Sequence, residues 1–424
     1  MNELRAFVDG HLIGTFASQN GQLSFHYTDT VGCFPISLSM PLGRDSYGKR
    51  QASAYLWGLL PDNQVAIENM AKEAGASASS VFGILAVHGR DVAGALQLLP
   101  PGETPSDNTQ ISVDDQSELL DDEQLEQLLR TTMSRYSGRA PQGGDAFKFS
   151  VAGAQPKIAL TANRQGHFLV PTTDIATTHI LKPNFVDSEY FISEVEAVEL
   201  ISLRAAALLG LETAEVTLWE SPSGDLKSLV VKRYDRAFTE GGYVRRIHQE
   251  DFCQALAVMP EKKYQHQFGG PGVGAIAQLF RTALPREERK TSAEKFFSAL
   301  VFNVGIVGTD AHAKNYSILL DENIRLAPLY DVISAAAHLD SEQAAYFPMK
   351  IGETYAIDQI TIKGLVSAGR KLGLSAAGAE QITENILSRI PSALALAATD
   401  VGRPDLADKL IDGIQRKSPV RWLN

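Results

Sequence analysis

A chain of 424 residues, 44% hydrophobic and 21% charged, is too long for one ordinary core and composed like a soluble globular protein, so two or three domains or lobes are expected. Its net charge of −11 argues against strong direct binding to nucleic acid, where Lys and Arg on phosphates supply most of the affinity; a local basic patch stays compatible with that total. The opening MNELRAFVDG lacks a basic stretch followed by an apolar one, no apolar run reaches membrane-spanning length, and Cys33 and Cys253 have no metal-ligand spacing, so a cytoplasmic chain without a membrane partner is expected.

Taken in order, the first hundred residues read as β-rich. Asp9-Gly10 and Asn20-Gly21 are hairpin pairs between the apolar stretches 5–8 and 23–27. Residues 35–42 (PISLSMPL) alternate like a short strand. Helices are expected over 54–60 and 63–74. Residues 106–146 are polar, acidic and rich in Pro, Ser and Gly, the best linker candidate, with one helix over 121–130. Strands at 149–151 and 157–160 then flank a small-residue turn, and 167–170 and 179–181 read as further strands. A long helix is expected over 189–209, strands over 216–219 and 229–232, and a mainly helical remainder after Gln249. No internal repeat or low-complexity tract occurs.

The strongest chemical signal is GTDAHAKN at 308–315, followed by Leu329-Tyr330-Asp331. Phosphoryl transfer from ATP needs a carboxylate to orient the attacking hydroxyl and accept its proton, an amide and a second carboxylate on Mg²⁺, and a lysine on the phosphates. Protein kinases space the base and the amide as Asp-x-x-x-x-Asn, and Asp310 and Asn315 have that spacing. Asp331 follows in an apolar, strand-like segment where the second metal carboxylate belongs, and the apolar helix expected over 296–307 would anchor the loop. Asp and Asn also favour plain turns, so the pair alone is weak; Asp331 and the upstream elements tip the reading.

Upstream, Lys182 ends the strand 179–181, as a phosphate-gripping lysine should, and Glu199 lies on the following helix as its partner, with Glu189, Glu194 and Glu196 as competitors on what is otherwise a charged helix face. Ser150 to Lys157 (SVAGAQPK) carries small residues that let backbone N–H groups approach phosphates, although hairpins use the same residues. GGPGVG at 269–274 reads as a loop and helix start. LVVKRYDR at 229–236 falls where a hinge between kinase lobes would lie, with Tyr234 able to pack on adenine. RRIHQED at 245–251 is too polar for a core, and no role follows for it.

Together these segments resemble the HipA kinases. The carrying motifs are SVAGAQPK (150–157), THILKP (178–183), VKRYDR (231–236), HQEDFC (248–253), GGPG (269–272), DAHAKN (310–315) and YDVISA (330–335), with PISLSMPL, GLLPDN (58–63) and GRDVAGALQ (89–97) in the N-terminal region. Their common order covers most of the chain. The resemblance implies an α+β, bilobal protein-kinase-like fold: a small β-rich N-terminal subdomain over 1–105, a linker with a helix over 106–146, an N-lobe-like region over 147–245, and an all-helical C-terminal lobe over 246–424. It makes Asp310 the proton acceptor, Asn315 and Asp331 the Mg²⁺ ligands, and Lys182 the phosphate lysine. Ala152, Gly153, Ala154, Gln155, Pro156 and Lys157 become the phosphate loop, and Lys232, Arg233 and Tyr234 the hinge at adenine. His312, Lys314 and Tyr330 become further nucleotide contacts, and Ser150 an autophosphorylated serine. The implied function is a serine/threonine kinase toxin, using ATP and Mg²⁺, held by a HipB-like DNA-binding antitoxin. Its implied target is a translation component such as an aminoacyl-tRNA synthetase, with growth arrest as the outcome and DNA met mainly through the antitoxin.

Lys232 stands where relatives can carry an acidic residue, no His-Arg precedes Asp310, and no Gly follows Val332, so activation-loop logic does not transfer. Two other readings stay open: a kinase of a small molecule such as a sugar or aminoglycoside, which Ser150 beside the loop disfavours, and an inactive co-repressor binding an antitoxin, which the intact Asp310, Asn315, Asp331 and Lys182 disfavour.

Overall fold

The computed structural model describes residues 3–28, 35–105, 112–114, 118–136, 153, 155–172, 175–184, 194–340 and 342–419. Ser150, Ala152, Ala154, Glu189, Cys33, the strand expected over 149–151 and much of the linker lie outside them. The chain forms two compact units, Met1–Phe185 with Trp219–Pro260 and Leu319–Glu322, and Val186–Leu218 with Glu261–Ile318 and Asn323–Asn424. Unit membership therefore does not follow chain order: the region 147–245 is divided between them.

In the first unit, an antiparallel sheet runs in the order Ser46–Tyr47, Gln22–Tyr27, His11–Gln19, Glu3–Val8, Gln97–Leu99. Its two hairpins turn where expected. Asp9 and Gly10 (φ 47° and 78°) and Asn20 and Gly21 (φ 51° and 74°) take the left-handed conformations that such turns demand. One face buries Leu4, Phe16 and Phe25 against Tyr55 and Leu56 of the helix Lys49–Gly58. Asn63 caps the helix Gln64–Glu73 by accepting from the Ala66 N–H. The segment 35–42 is not a strand: it closes a tight turn through a Ser37–Met40 bridge. Pro35 and Pro41 remove two ladder donors, so its alternation cannot be extended into a sheet.

The same unit holds the antiparallel strands Ile158–Leu160, His179–Pro183 and Lys227–Lys232, with Ile158 opposite Leu181 and Leu181 opposite Val230. The helix Asp122–Tyr136, longer than expected, lays Leu125 and Leu129 on Ile158, Leu160, Leu181 and Val230. Residues 167–170 give only isolated bridges at Phe168 and Leu169.

The second unit is mainly helical. The long helix Ala376–Asp400 contacts Val195–Leu208, Glu288–Gly305, Ile362–Lys371 and Pro404–Lys417. Gly305 permits one crossing, since a Cβ there would meet the Ile390 Cδ1 at 2.3 Å. The expectation of an all-helical lobe over 246–424 is corrected: Tyr346–Ile351 and Thr354–Ala356 form an antiparallel hairpin, and Gln249–Asp251, Ser317–Leu319 and Arg325–Leu326 are strands as well. The hairpin's Ile351-Gly352-Glu353-Thr354 turn places Gly352 at φ 60°. Among the described residues no helix is long and apolar enough to cross a membrane.

Candidate active site

In the second unit the helix Glu288–Gly305 delivers the loop that carries the Asp-x-x-x-x-Asn spacing. The chain leaves the helix through Val307 at φ 60°, and the Gly308 N–H bonds back to the Asn303 carbonyl at 2.7 Å. A Cβ on Gly308 would lie 2.8 Å from the Asn303 side-chain oxygen, so glycine is required there. The Asn303 amide is itself held by Ala299 O at 3.0 Å and Tyr316 Oη at 3.3 Å. The exit from the helix is thereby fixed from within.

Asp310 keeps 49% of its side chain exposed, whereas His312 keeps 3%. Tyr264 donates its hydroxyl to Asp310 Oδ1, and His312 Nε2 lies 3.7 Å from the same oxygen. The Tyr264 ring meets the His312 ring edge-on at 4.8 Å, and the Lys263 carbonyl accepts from the Ala313 N–H at 3.3 Å. One carboxylate oxygen is thus fixed by the loop's own neighbours while the group stays open to solvent, the condition for a base that must receive an incoming hydroxyl.

Asn315 Nδ2 donates to Asp310 O at 2.8 Å and to Asp331 O at 3.4 Å. Its nitrogen end is therefore spent on backbone carbonyls, and Oδ1 is the end left to act as a ligand. Asp331 sits at φ 57°, a left-handed turn and not the strand-like segment expected; a bridge between Leu329 and Thr213 and the Ala214 N–H to Leu329 O bond of 2.9 Å hold its approach. The Asn315 amide oxygen and the Asp331 carboxylate are hard donors that suit Mg²⁺. Among the described residues no group of three or more His, Cys, Asp or Glu side chains is arranged for a metal ion; Mg²⁺ ordinarily takes one or two protein ligands and completes its shell with water and phosphate. Tyr330 donates to Lys314 O at 2.7 Å and lies 2.7 Å from Ser317 Oγ, so Tyr330 and the buried Lys314 brace the loop.

Glu199, the expected lysine partner, is buried in the helix Val195–Leu208. The competitor Glu194 pairs with Arg403 at 2.6 Å.

The remaining candidates belong to the first unit. Gly153 lies at φ 116°, and a Cβ on it would meet Lys157 Nζ at 2.2 Å, so this loop position accepts only glycine. Its carbonyl takes the Asp62 N–H at 3.1 Å. Gln155 and Pro156 lead into the strand Ile158–Leu160. Lys182 lies within the strand His179–Pro183, opposite Leu229, and Lys232 closes its own strand opposite His179.

Arg233 and Tyr234 follow, with the polar ends of both side chains already engaged. The Arg233 N–H goes to Thr178 O at 2.9 Å. Its guanidinium is spent on Asp235 at 2.8 Å, Thr177 Oγ1 at 2.8 Å and Val92 O at 2.8 Å. Tyr234 donates to the Gln249 side chain. Around them lies a buried charge cluster that the sequence reading missed. Asp91 takes Arg236 at 2.9 Å, Arg246 at 3.3 Å and the Thr177 hydroxyl at 2.6 Å. Burial alone would raise both acids, but the facing guanidiniums outweigh it, holding Asp91 far below the usual carboxylate range and Asp235 at about 2.

RRIHQED now has its role. His248 Nε2 meets Ile36 O at 2.8 Å while Nδ1 takes the Ala95 N–H at 3.3 Å, and burial lowers this imidazole to about 4. Glu250 accepts from the Ser37 hydroxyl at 2.5 Å and the Leu38 N–H at 2.6 Å. The signal was present as a period of two: Val244, Arg246, His248 and Glu250 are all buried. Three of the four are polar, which inverts the usual strand pattern.

Comparison with known proteins follows this geometry. Residues 4–99 match the HipA N-terminal domain and residues 149–394 the HipA-like C-terminal domain. A Sinorhizobium fredii protein with the provisional name kinase Y4mE is 33% identical, with 94% of this chain and 92% of that protein covered. The serine/threonine-protein kinase toxin HipA of Shewanella oneidensis is 29% identical, with 88% and 86% covered. A solved complex of Shewanella oneidensis HipA with HipB and operator DNA has a similar fold, with a TM-score of 0.76 at 24% identity and 99% of each chain covered.

Proposed function

The chain belongs to the HipA family, and from that premise we propose that it is a serine/threonine protein kinase, dependent on ATP and Mg²⁺, and the toxin of a pair whose other member is a HipB-like antitoxin. The observation that carries the reading is the loop from Asp310 to Asp331. An exposed carboxylate is fixed at one oxygen, and an amide is held by its nitrogen on the backbone carbonyls of Asp310 and Asp331, which leaves its oxygen to act as a ligand. In the reaction, the bond between the γ-phosphorus and the ADP oxygen breaks and one to the acceptor oxygen forms. Asp310 takes the acceptor's proton. Asn315 and Asp331 would hold Mg²⁺, which neutralises charge on the phosphates. Lys182, Gly153, Gln155, Pro156 and Lys157 would contribute the phosphate contacts, alongside Ala152 and Ala154, and Lys232 the edge of the adenine site.

The finer assignments are part of the same proposal. Ser150 is the self-modified serine: a phosphate there adds about −1.5 to −2 charge beside a loop that must accept the ATP phosphates. The target is a translation component, by analogy with the family, and growth arrest follows from its modification. DNA is reached through the antitoxin, consistent with a chain of net charge −11. The test is phosphoproteomics after brief expression without an antitoxin, wild type against Asp310→Ala. Sites that appear only with the wild type support the reading, and identical phosphoproteomes with equal growth arrest refute it.

A further inference from the structure

One surface of the second unit is left unexplained by phosphoryl transfer itself. The loop after Pro260 closes tightly on itself. The Phe268 and Gly270 N–H groups both bond Tyr264 O at 3.2 Å, and a Cβ on Gly270 would lie 1.8 Å from Lys262 O. Its inner side is joined to the catalytic loop twice, by Tyr264 on Asp310 and by Lys263 O on the Ala313 N–H. Its outer side is anchored to the hairpin, where Gln265 Oε1 accepts from the Lys350 N–H at 2.8 Å. There His266 stacks on Tyr346 at 4.6 Å and packs on Tyr355 at 4.8 Å. Phe268 is 56% exposed and Tyr346 45%.

Scattered exposed rings need no explanation. This group differs because a rigid loop carries it and because that loop begins at the residue that holds the base. A helical rise of about 1.5 Å per residue puts the Phe268 backbone about 6 Å along the axis from that of Tyr264, whose hydroxyl meets Asp310 from the far end of its side chain, and an extended peptide rising about 3.3 Å per residue spans the two together in about three to five residues. A side chain three to five positions from the acceptor serine or threonine would therefore reach these rings while the acceptor's hydroxyl reached Asp310. Binding energy gained there would hold the hydroxyl for attack.

We propose that His266, Phe268, Tyr346 and Tyr355 form an acceptor-side docking surface, which takes an aromatic or large aliphatic side chain close in sequence to the phosphoacceptor of a protein substrate. The proposal rests on the kinase reading and adds to it a sequence preference that the base and metal ligands alone would not impose.

The test uses the full chain, radiolabelled ATP and degenerate peptides with one central serine or threonine, each flanking position fixed in turn. The wild type should select aromatic or large aliphatic residues within about five positions of the acceptor. Phe268→Ser and Tyr346→Ser, alone and together, should lower kcat/KM for the selected peptides by roughly tenfold and flatten the preference. The KM for ATP should hold, and unchanged melting of both exposed-site variants would confirm the fold. If the wild type transfers phosphate without such a preference, or the double variant keeps it, the docking proposal is overturned and the kinase reading stands. Hydrolysis of ATP without labelling of any peptide overturns the docking surface in the same way. If neither hydrolysis nor transfer occurs in the wild type, the kinase reading itself fails and the docking surface falls with it.

Discussion

Two regions of this chain are rich in charge and are built in opposite ways. Around Asp91, Arg233, Asp235, Arg236 and Arg246 every charged group is buried and faces an opposite charge a few ångströms away. Around Asp310 the carboxylate stays half exposed, and what fixes it is a neutral phenol. Buried, mutually neutralised charge ties segments together and has no free valence for a substrate. A charge kept in solvent and steadied at one oxygen can still take a proton. The difference separates architecture from chemistry among residues of the same types, and substitutions on either side can break it.

The largest effect should come from the exposed side. Asp310→Ala should lower phosphate transfer by roughly 10²- to 10⁴-fold, the usual contribution of a positioned base, with thermal stability close to the wild type. Transfer assays and melting curves on the same preparation check both halves. Near-normal transfer would mean that exposure and steadying do not mark the base.

On the buried side the order reverses. Asp91→Ala should destabilise the fold by about 3–5 kcal/mol, because it leaves guanidiniums buried without their carboxylate. Urea unfolding of the full chain measures it, and Asp91→Asn, which keeps an acceptor for Thr177, should cost less. A variant that unfolds like the wild type would show that the cluster is not what joins the 91–95 segment to residues 233–246.

The contrast also explains what could be read from the sequence. That Asp310, Asn315 and Asp331 come together was legible because the loop's contacts are local: Asn315 bonds the carbonyl five residues before it and that of Asp331. The hairpins at Asp9-Gly10 and Asn20-Gly21 were legible for the same reason, since a turn's demand for positive φ falls on its own residues. The Arg233 side-chain partners Asp91, Val92 and Thr177 were not legible, because they lie far from it in sequence. Tyr264 was missed because 46 residues separate it from Asp310. Residues 35–42 alternate without pairing as a strand, because Pro35 and Pro41 lack the N–H donors that a ladder needs.

Glu250 tests the buried side by pH. Burial raises its carboxyl to about 8 against the donors at Ser37 and Leu38. A folded-state value above the unfolded one means that the native protein binds the extra proton. The associated stability is fully present below the unfolded value, near 4.5, and is lost as pH rises through about 8. The wild type should therefore lose stability between these limits at up to about 1.4 kcal/mol per pH unit relative to Glu250→Gln, which has no proton to lose. Parallel stability profiles for the two proteins would show that the carboxylate stays ionised on its donors.

The smallest effect should fall on Tyr264, which stands where the two kinds of region meet. Its ring packs like a core residue, edge-on to the buried His312, but its hydroxyl bonds the exposed Asp310 carboxylate. Phenylalanine keeps the ring and removes only the O–H, so Tyr264→Phe isolates the steadying bond from the packing. A single hydrogen bond is worth about 0.5–1.5 kcal/mol net, so transfer should slow by roughly two- to tenfold. The loss should appear in kcat, because the acceptor hydroxyl meets a carboxylate free to turn, while the KM for ATP stays constant. Tyr264→Leu removes the ring as well and should add a loss of thermal stability that Phe does not. If Phe behaves as the wild type and only Leu is impaired, the ring matters and the hydroxyl does not. Tyr264 would then belong with Asp91 and Glu250 among the residues that hold the fold, and Asp310 would need another source for its orientation, such as His312 at 3.7 Å.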